Sequence, residues 1–144
     1  CWEMGGVGFA GVRGFGGGFG RQMLEPWGEA AIKSFVAESS RESMKLETAL
    51  GKLDTERRVA LLHYAPITAT VEGEFREIYP FLGSSRLEEP LNRYEVVAAF
   101  HGHAHNGTPE GKTREGVPVF NVSAPLLRRL HPDRLPFRTF TVPL

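Results

Sequence analysis

Three of the five histidines in the chain occupy alternate positions in one short run, as His101, His103 and His105. Side chains at alternate positions of an extended backbone project to the same side, so at least two of these imidazoles can converge on one ion. The small residues between them, Gly102 and Ala104, leave room for that ion. Neutral imidazole binds zinc, iron, copper and nickel well. The run therefore predicts a metal site, and a histidine-rich surface turn that binds metal only incidentally is the alternative.

A fourth histidine, His63, follows an apolar run at residues 59–62, and His101 follows another at residues 96–100. Short apolar runs of this kind predict buried strands. If the two strands lie side by side, His63 joins the alternating histidines at one edge of a sheet. Three histidines and a water form an open zinc site, which lowers the pKa of the bound water to near 7. This combination predicts hydrolysis by a metal-bound hydroxide.

Hydrophobic spacing predicts the elements that must position these histidines. Apolar residues recur at helical intervals over residues 29–52, which indicates a long helix, and residues 87–94 indicate a short one. The predicted strands lie at residues 57–63, 95–100, 117–122 and 137–142, with one short strand within residues 2–12. A long surface loop, of the length typical of lids and binding loops, is expected over residues 67–86.

Composition limits the classes of protein to consider. The chain has 144 residues, enough for one domain, and its 17 basic and 17 acidic residues cancel, so nucleic acid is an unlikely partner. No apolar run approaches the roughly 20 residues needed to span a bilayer, so no membrane association is expected. The single cysteine, Cys1, excludes an intrachain disulfide, and we expect a cytoplasmic protein.

The histidine motifs resemble a known family. The run Gly102-His103-Ala104-His105, with the upstream His63 strand end and the following run at residues 116–123, is similar to the last two metal-binding motifs of the calcineurin-like metallophosphoesterases. The resemblance implies that His63 and His103 bind one metal of a dinuclear centre and that His105 binds the other. His101 has no fixed role in the family pattern, so we assign it as a candidate catalytic residue. Its two possible roles are to support a metal ligand by a hydrogen bond or to bind the metal itself in a rearranged site.

The family's upstream motifs, Asp-x-His, Gly-Asp and Gly-Asn-His-Asp, are absent from the chain. The chain therefore resembles the C-terminal half of such a domain: one truncated α/β domain over residues 1–144, with a glycine-rich opening at 1–28 and the helix, strands and metal motifs at 29–144. This implies half of a layered β-sandwich with flanking helices, completed by oligomerisation as a homodimer. Nothing in the spacing singles out a replacement for the missing carboxylate ligand among Asp54, Glu72, Glu74 and Asp133.

Two further segments carry charge or glycine patterns. Residues 6–11 formally match G-x-G-x-x-G, but the strand before it and the helix after it that a dinucleotide site needs are not indicated, so a structural loop is expected. Residues 126–138 form a basic patch, which either attracts an anionic phosphoester or is a solvated face. Its cations are Arg128, Arg129, Arg134 and Arg138, against Asp133 alone.

These observations favour a metal-dependent phosphoester hydrolase acting on small activated phosphodiesters or phosphotriesters. Zinc is the expected metal, because it tolerates a site poor in carboxylates, with manganese or iron as alternatives. No residue is singled out for binding substrate. The alternatives are a catalytically inactive half-domain that serves as an oligomeric metal-binding module, and a subunit that needs the missing half in trans.

Overall fold

The structure is a computed structural model and describes residues 1–143, which form a mixed α/β fold with one six-stranded sheet and four α-helices. The strands are β1 (Trp2–Met4), β2 (Val7–Gly11), β3 (Arg57–Leu61), β4 (Ala98–His101), β5 (Glu110–Lys112) and β6 (Pro118–Asn121). The helices are α1 (Ala30–Gly51), α2 (Tyr79–Leu82), α3 (Glu88–Arg93) and α4 (Ala124–Leu130). In the described part of the chain no helix has both the length and the apolar character needed to cross a bilayer.

The sheet has the strand order β1-β2-β3-β4-β6-β5. The four central strands β2, β3, β4 and β6 are parallel, whereas β1 and β5 run antiparallel to their neighbours at the two edges. The carboxyl ends of the central strands consequently meet at one edge of the sheet. In open α/β sheets this edge is where ligands bind.

One face of the sheet packs against helices. A row of small side chains crosses the central strands on this face, so α1 and α3 can approach closely and fill the core with leucines. The row consists of Ala10, Ala60, Ala99 and Val119, and the leucines packed on it include Leu46, Leu50 and Leu91. Burial of this apolar surface is the main stabilising contribution to the fold.

The other face is only partly covered. Its matching row runs from Leu61 through Phe100 to Phe120, and Phe140 of the C-terminal segment packs against both phenylalanines, with ring centres 5.9 and 5.6 Å away. Leu61 nevertheless keeps 45% of its surface exposed, although it lies on a central strand. A sheet face with this composition is usually buried against another layer.

The sequence predicted the main elements around the histidines and missed others. The long helix, the short helix and three strands are confirmed, with boundaries that differ by at most three residues. The structure has two strands where the sequence predicted one within residues 2–12. Gly5 and Gly6 adopt left-handed backbone angles, φ +58° and +77°, and form the turn of the β1-β2 hairpin. Residues 67–86 contain three short 3-10 turns and α2 rather than a continuous loop.

The predicted strand at residues 137–142 is wrong: this segment has no strand structure. Phe140 of this segment packs onto the face of the sheet, and the segment does not pair with a neighbouring strand. The edge beside β6 is occupied by β5 instead, a short strand without the apolar pattern that would reveal it. Helix α4 was also missed, although Pro125 in its first turn is a typical start signal.

Candidate metal centre

The parallel pairing of β3 and β4 places His63 next to the histidine run. Leu61 lies opposite Phe100 in the sheet. Pairing continues past the strands, because the Leu62 N–H donates to the Phe100 carbonyl at 2.8 Å and the Gly102 N–H donates to the His63 carbonyl at 3.2 Å. The side-by-side arrangement expected from the sequence is therefore present. It fixes the backbone of both histidine segments at the carboxyl edge of the sheet.

The imidazoles of His63 and His103 face each other. Their ring centres are 4.8 Å apart, with 46° between the planes. Two imidazoles that share one zinc ion, each with a Zn–N bond of about 2.0–2.1 Å, have ring centres about 5 Å apart. Tyr64 packs against both rings, 5.4 Å from His63 and 4.7 Å from His103. The separation of the two rings therefore fits a shared metal ion.

His103 sits in a tight turn. Its φ of +64° is left-handed, which is rare for a residue other than glycine, and the Ala104 N–H donates to the Gly102 carbonyl at 2.7 Å across it. Such a conformation costs on the order of 1–3 kcal/mol and is found most often at functional sites. The ring Nε2 lies 3.0 Å from the Phe81 carbonyl oxygen. Because a carbonyl only accepts, Nε2 carries the proton and Nδ1 keeps its lone pair for a ligand.

His105 stands next to this pair and is exposed. Partial burial lowers the pKa of His63 below its ordinary value, and the positive charges of His103 and His105 lower that pKa further. His103 and His105 are therefore near enough to disfavour protonation of His63. A lowered pKa keeps His63 neutral near pH 7, which is the form that binds a metal.

Within residues 1–143, however, no three His, Cys, Asp or Glu side chains stand in an arrangement that could hold a metal ion. His63 and His103 form a pair, and His105 does not complete a group of three ligands with them. Among the carboxylates, Glu74 accepts hydrogen bonds from Asn106, and Asp54 precedes β3 and so lies at the opposite end of that strand.

His101 differs from the other three histidines because it is buried, with 1% of its surface exposed. Its Nδ1 lies 2.8 Å from the Gly102 carbonyl and its Nε2 lies 2.7 Å from the Thr70 hydroxyl. The carbonyl requires a proton on Nδ1, and a pKa far below 7 keeps the ring neutral near pH 7, so Nε2 accepts from the Thr70 hydroxyl. Burial lowers the pKa of His101 to about 4. This geometry favours a positioning role behind Gly102, and a direct catalytic role stays a prediction.

Aromatic side chains line one side of the histidine pair. Tyr64 packs against Phe15 with ring centres 5.6 Å apart, and Phe15 packs against Phe35 at 4.8 Å. Phe35 in turn lies edge-on to Phe81, whose carbonyl holds His103. The rings connect helix α1 to the histidine pair, and Tyr64 restricts the rotamers of both histidines.

The glycine-rich segment has its N–H groups engaged by the protein. The Gly14 N–H donates to the buried carboxylate of Glu42 at 2.9 Å, and the Gly17 N–H donates to the Pro80 carbonyl at 2.7 Å. Backbone amides that cradle a phosphate must point at the ligand instead. Residues 6–11, which match G-x-G-x-x-G, lie in the turn of the β1-β2 hairpin and in strand β2 instead of the expected loop, and the next α-helix begins only at Ala30.

No protein-family model matches the sequence, and no curated protein matches it.

Proposed function

We propose that this protein is a metal-dependent phosphoester hydrolase in which His63, His103 and His105 hold the metal ion. The observation that carries the proposal is the turn at His103, which holds the imidazole 4.8 Å from that of His63 in an unfavourable backbone conformation. Zinc suits these nitrogen ligands best, with manganese or iron as alternatives. The third ligand, His105, reaches the ion by a rotation of its exposed side chain.

A bound metal ion would supply a water of lowered pKa and an electropositive centre for the phosphoryl oxygens. In hydrolysis a water oxygen forms the new bond to phosphorus, the bond to the leaving group breaks, and the water proton passes to solvent. Tyr64 and the Phe81 carbonyl orient the His103 ring for this reaction. His101 holds Gly102 in place through its Nδ1–H. Good leaving groups are preferred, because within residues 1–143 no Asp or Glu side chain joins the histidine pair to protonate a poor one.

We further infer that the fold is half of a layered sandwich of the metallophosphoesterase type, completed by a second copy of the chain. The partly exposed sheet face supports this, since Leu61, Trp2 and Phe137 keep 45%, 60% and 67% of their surface exposed. Sedimentation equilibrium tests it: Leu61→Asp should convert a dimer to a monomer, whereas Leu130→Asp, an exposed apolar site on α4, should not. A monomeric wild-type protein would contradict the inference.

A second candidate is a catalytically inactive, oligomeric metal-binding module. It is favoured by the absence, in residues 1–143, of a formed three-ligand group and by the lack of a carboxylate beside the histidine pair. In that case zinc binds and raises the melting temperature without any turnover. A subunit that needs the missing half in trans would become active only when that half is added.

The direct test is hydrolysis of bis(4-nitrophenyl) phosphate by the full chain after reconstitution with zinc, manganese or iron. We expect turnover that a chelator abolishes and that falls by about 100-fold or more in His63→Ala and in His103→Ala, since both changes remove a ligand. His131→Ala, an exposed histidine beyond α4, is the matched control and should retain activity. Turnover unchanged in both ligand variants would contradict the proposal.

A further inference from the structure

The basic patch at the C-terminal end of the chain contains one arginine that is attached to the histidine run. Arg129 lies in the last turn of α4, and its Nη1 donates to the Asn106 side-chain oxygen at 2.8 Å. The same Nη1 lies 3.4 Å from the carbonyl oxygen of His105. A guanidinium is thus held beside the backbone of a candidate metal ligand.

The loop holds this guanidinium through a defined chain of hydrogen bonds. Asn106 donates to Glu74 twice, from its backbone N–H at 2.7 Å and from its side-chain nitrogen at 3.2 Å. Because the carboxylate takes the amide nitrogen, the amide oxygen of Asn106 is left for Arg129. The direction of the Asn106 side chain is fixed from one side by Glu74 and from the other by Arg129.

Arg129 keeps its charge and most of its donors available. Its partners are a neutral amide and a carbonyl, whereas Arg114 and Arg138 form direct ion pairs with Glu89 and Glu110. Within residues 1–143, neither Nε nor Nη2 of Arg129 donates to a protein acceptor, and the residue is exposed. A planar guanidinium with two free donor positions matches the geometry of two phosphoryl oxygens.

We propose that Arg129 binds the charged oxygen of an anionic phosphoester at this centre, with Asn106 and Glu74 as positioning residues. This inference rests on the proposed function and narrows its substrate class to anionic phosphodiesters over neutral phosphotriesters. A diester carries the negative charge that the guanidinium recognises. A triester with the same leaving group carries none, so it gains nothing from Arg129.

The test compares two substrates that release the same 4-nitrophenolate, anionic bis(4-nitrophenyl) phosphate and neutral diethyl 4-nitrophenyl phosphate. In Arg129→Gln we expect kcat/KM for the diester to fall about tenfold or more, as for loss of a charged hydrogen bond, and kcat/KM for the triester to change less than twofold. Arg129→Lys should recover part of the loss. Arg128→Gln, the neighbouring exposed arginine, is the matched control and should change neither value. Equal losses on both substrates, or no loss on the diester, would overturn the proposal.

The Asn106→Ala variant tests whether Asn106 positions Arg129 or only stabilises the fold. It keeps the charge of Arg129 but removes the amide oxygen that positions it, so the ratio of diester to triester kcat/KM should fall while the triester value is retained. An unchanged ratio would show that Asn106 does not position Arg129.

Binding of inorganic phosphate separates this inference from the proposed function if the wild-type protein shows no turnover. We expect phosphate to shift the NMR resonance of the Arg129 Nε–H in the full-length protein, relative to chloride at equal ionic strength. A shift of this resonance in a protein without turnover would support the anion site and contradict the proposed hydrolase function. No shift at phosphate concentrations up to tens of millimolar would refute the anion site.

Discussion

The buried imidazole of His101 should make the stability of the protein depend steeply on pH. Burial lowers the pKa of this group from 6.5 to about 4, so below pH 6.5 the unfolded chain binds a proton that the folded chain does not. Stability is therefore fully present above pH 6.5 and is lost as the pH falls toward 4. At about 1.4 kcal/mol per pKa unit, the free energy of unfolding should drop by about 2 kcal/mol between pH 7 and pH 5, and by about 3 kcal/mol in full.

The assay is urea unfolding at pH 7, 6 and 5 in the presence of a chelator, followed by tryptophan fluorescence and circular dichroism. His101→Asn keeps a donor for the Gly102 carbonyl but does not titrate. This variant should be less stable at pH 7, and its loss between pH 7 and pH 5 should be about 2 kcal/mol smaller than in the wild type. Some pH dependence remains, because the pKa of His63 is lowered in the same direction. His131→Asn, an exposed histidine, is the control. An unchanged pH dependence in His101→Asn would refute the reasoning.

Three further predictions concern the turn, the glycine segment and the metal. Glycine tolerates the φ of +64° at His103, so His103→Gly should be more stable toward urea than His103→Ala by about 1 kcal/mol, and equal stability would show that the turn is unstrained. Glu42→Ala leaves the Gly14 N–H without its acceptor and should lower the free energy of unfolding by about 2 kcal/mol. Glu77→Ala, at an exposed position, should change that free energy little, and similar losses in both variants would contradict the role of Glu42 as the acceptor for Gly14. Zinc at about 100 times its dissociation constant should raise the free energy of unfolding by about 3 kcal/mol, and the same rise in His63→Ala would place the ion elsewhere.

The central strands of the sheet could be predicted from the sequence, because their local hydrophobic pattern agrees with their position in the fold. The apolar runs before His63 and His101 lie on central strands whose helix-facing side chains are buried and whose other side is partly covered, so their composition predicts neighbouring strands. Histidines that directly follow such strands must meet at the carboxyl edge. The alternating run suggested three imidazoles on one side, but the left-handed turn at His103 breaks the extended backbone. That turn separates the buried His101 from the exposed His105.

The remaining features depend on contacts between distant residues, which no local pattern reports. Nothing in the local sequence distinguishes Thr70, because its hydroxyl lies 2.7 Å from His101 Nε2 only in the folded chain. Asn106 and Arg129 are 23 positions apart and meet only because α4 follows β6 directly. Short elements such as β5 are defined by pairing, not by composition.

The most direct test of the metal centre is the zinc content per chain of the purified full-length protein, measured by elemental analysis after reconstitution and removal of free metal. We expect about one zinc per chain in the wild type and in His131→Ala, and a loss of stoichiometric zinc in His63→Ala and in His103→Ala. The two ligand variants must retain the circular dichroism of the wild type for the comparison to count. A wild-type protein that binds no zinc, manganese or iron, or ligand variants that keep their metal, would contradict the assignment of these histidines as a metal site.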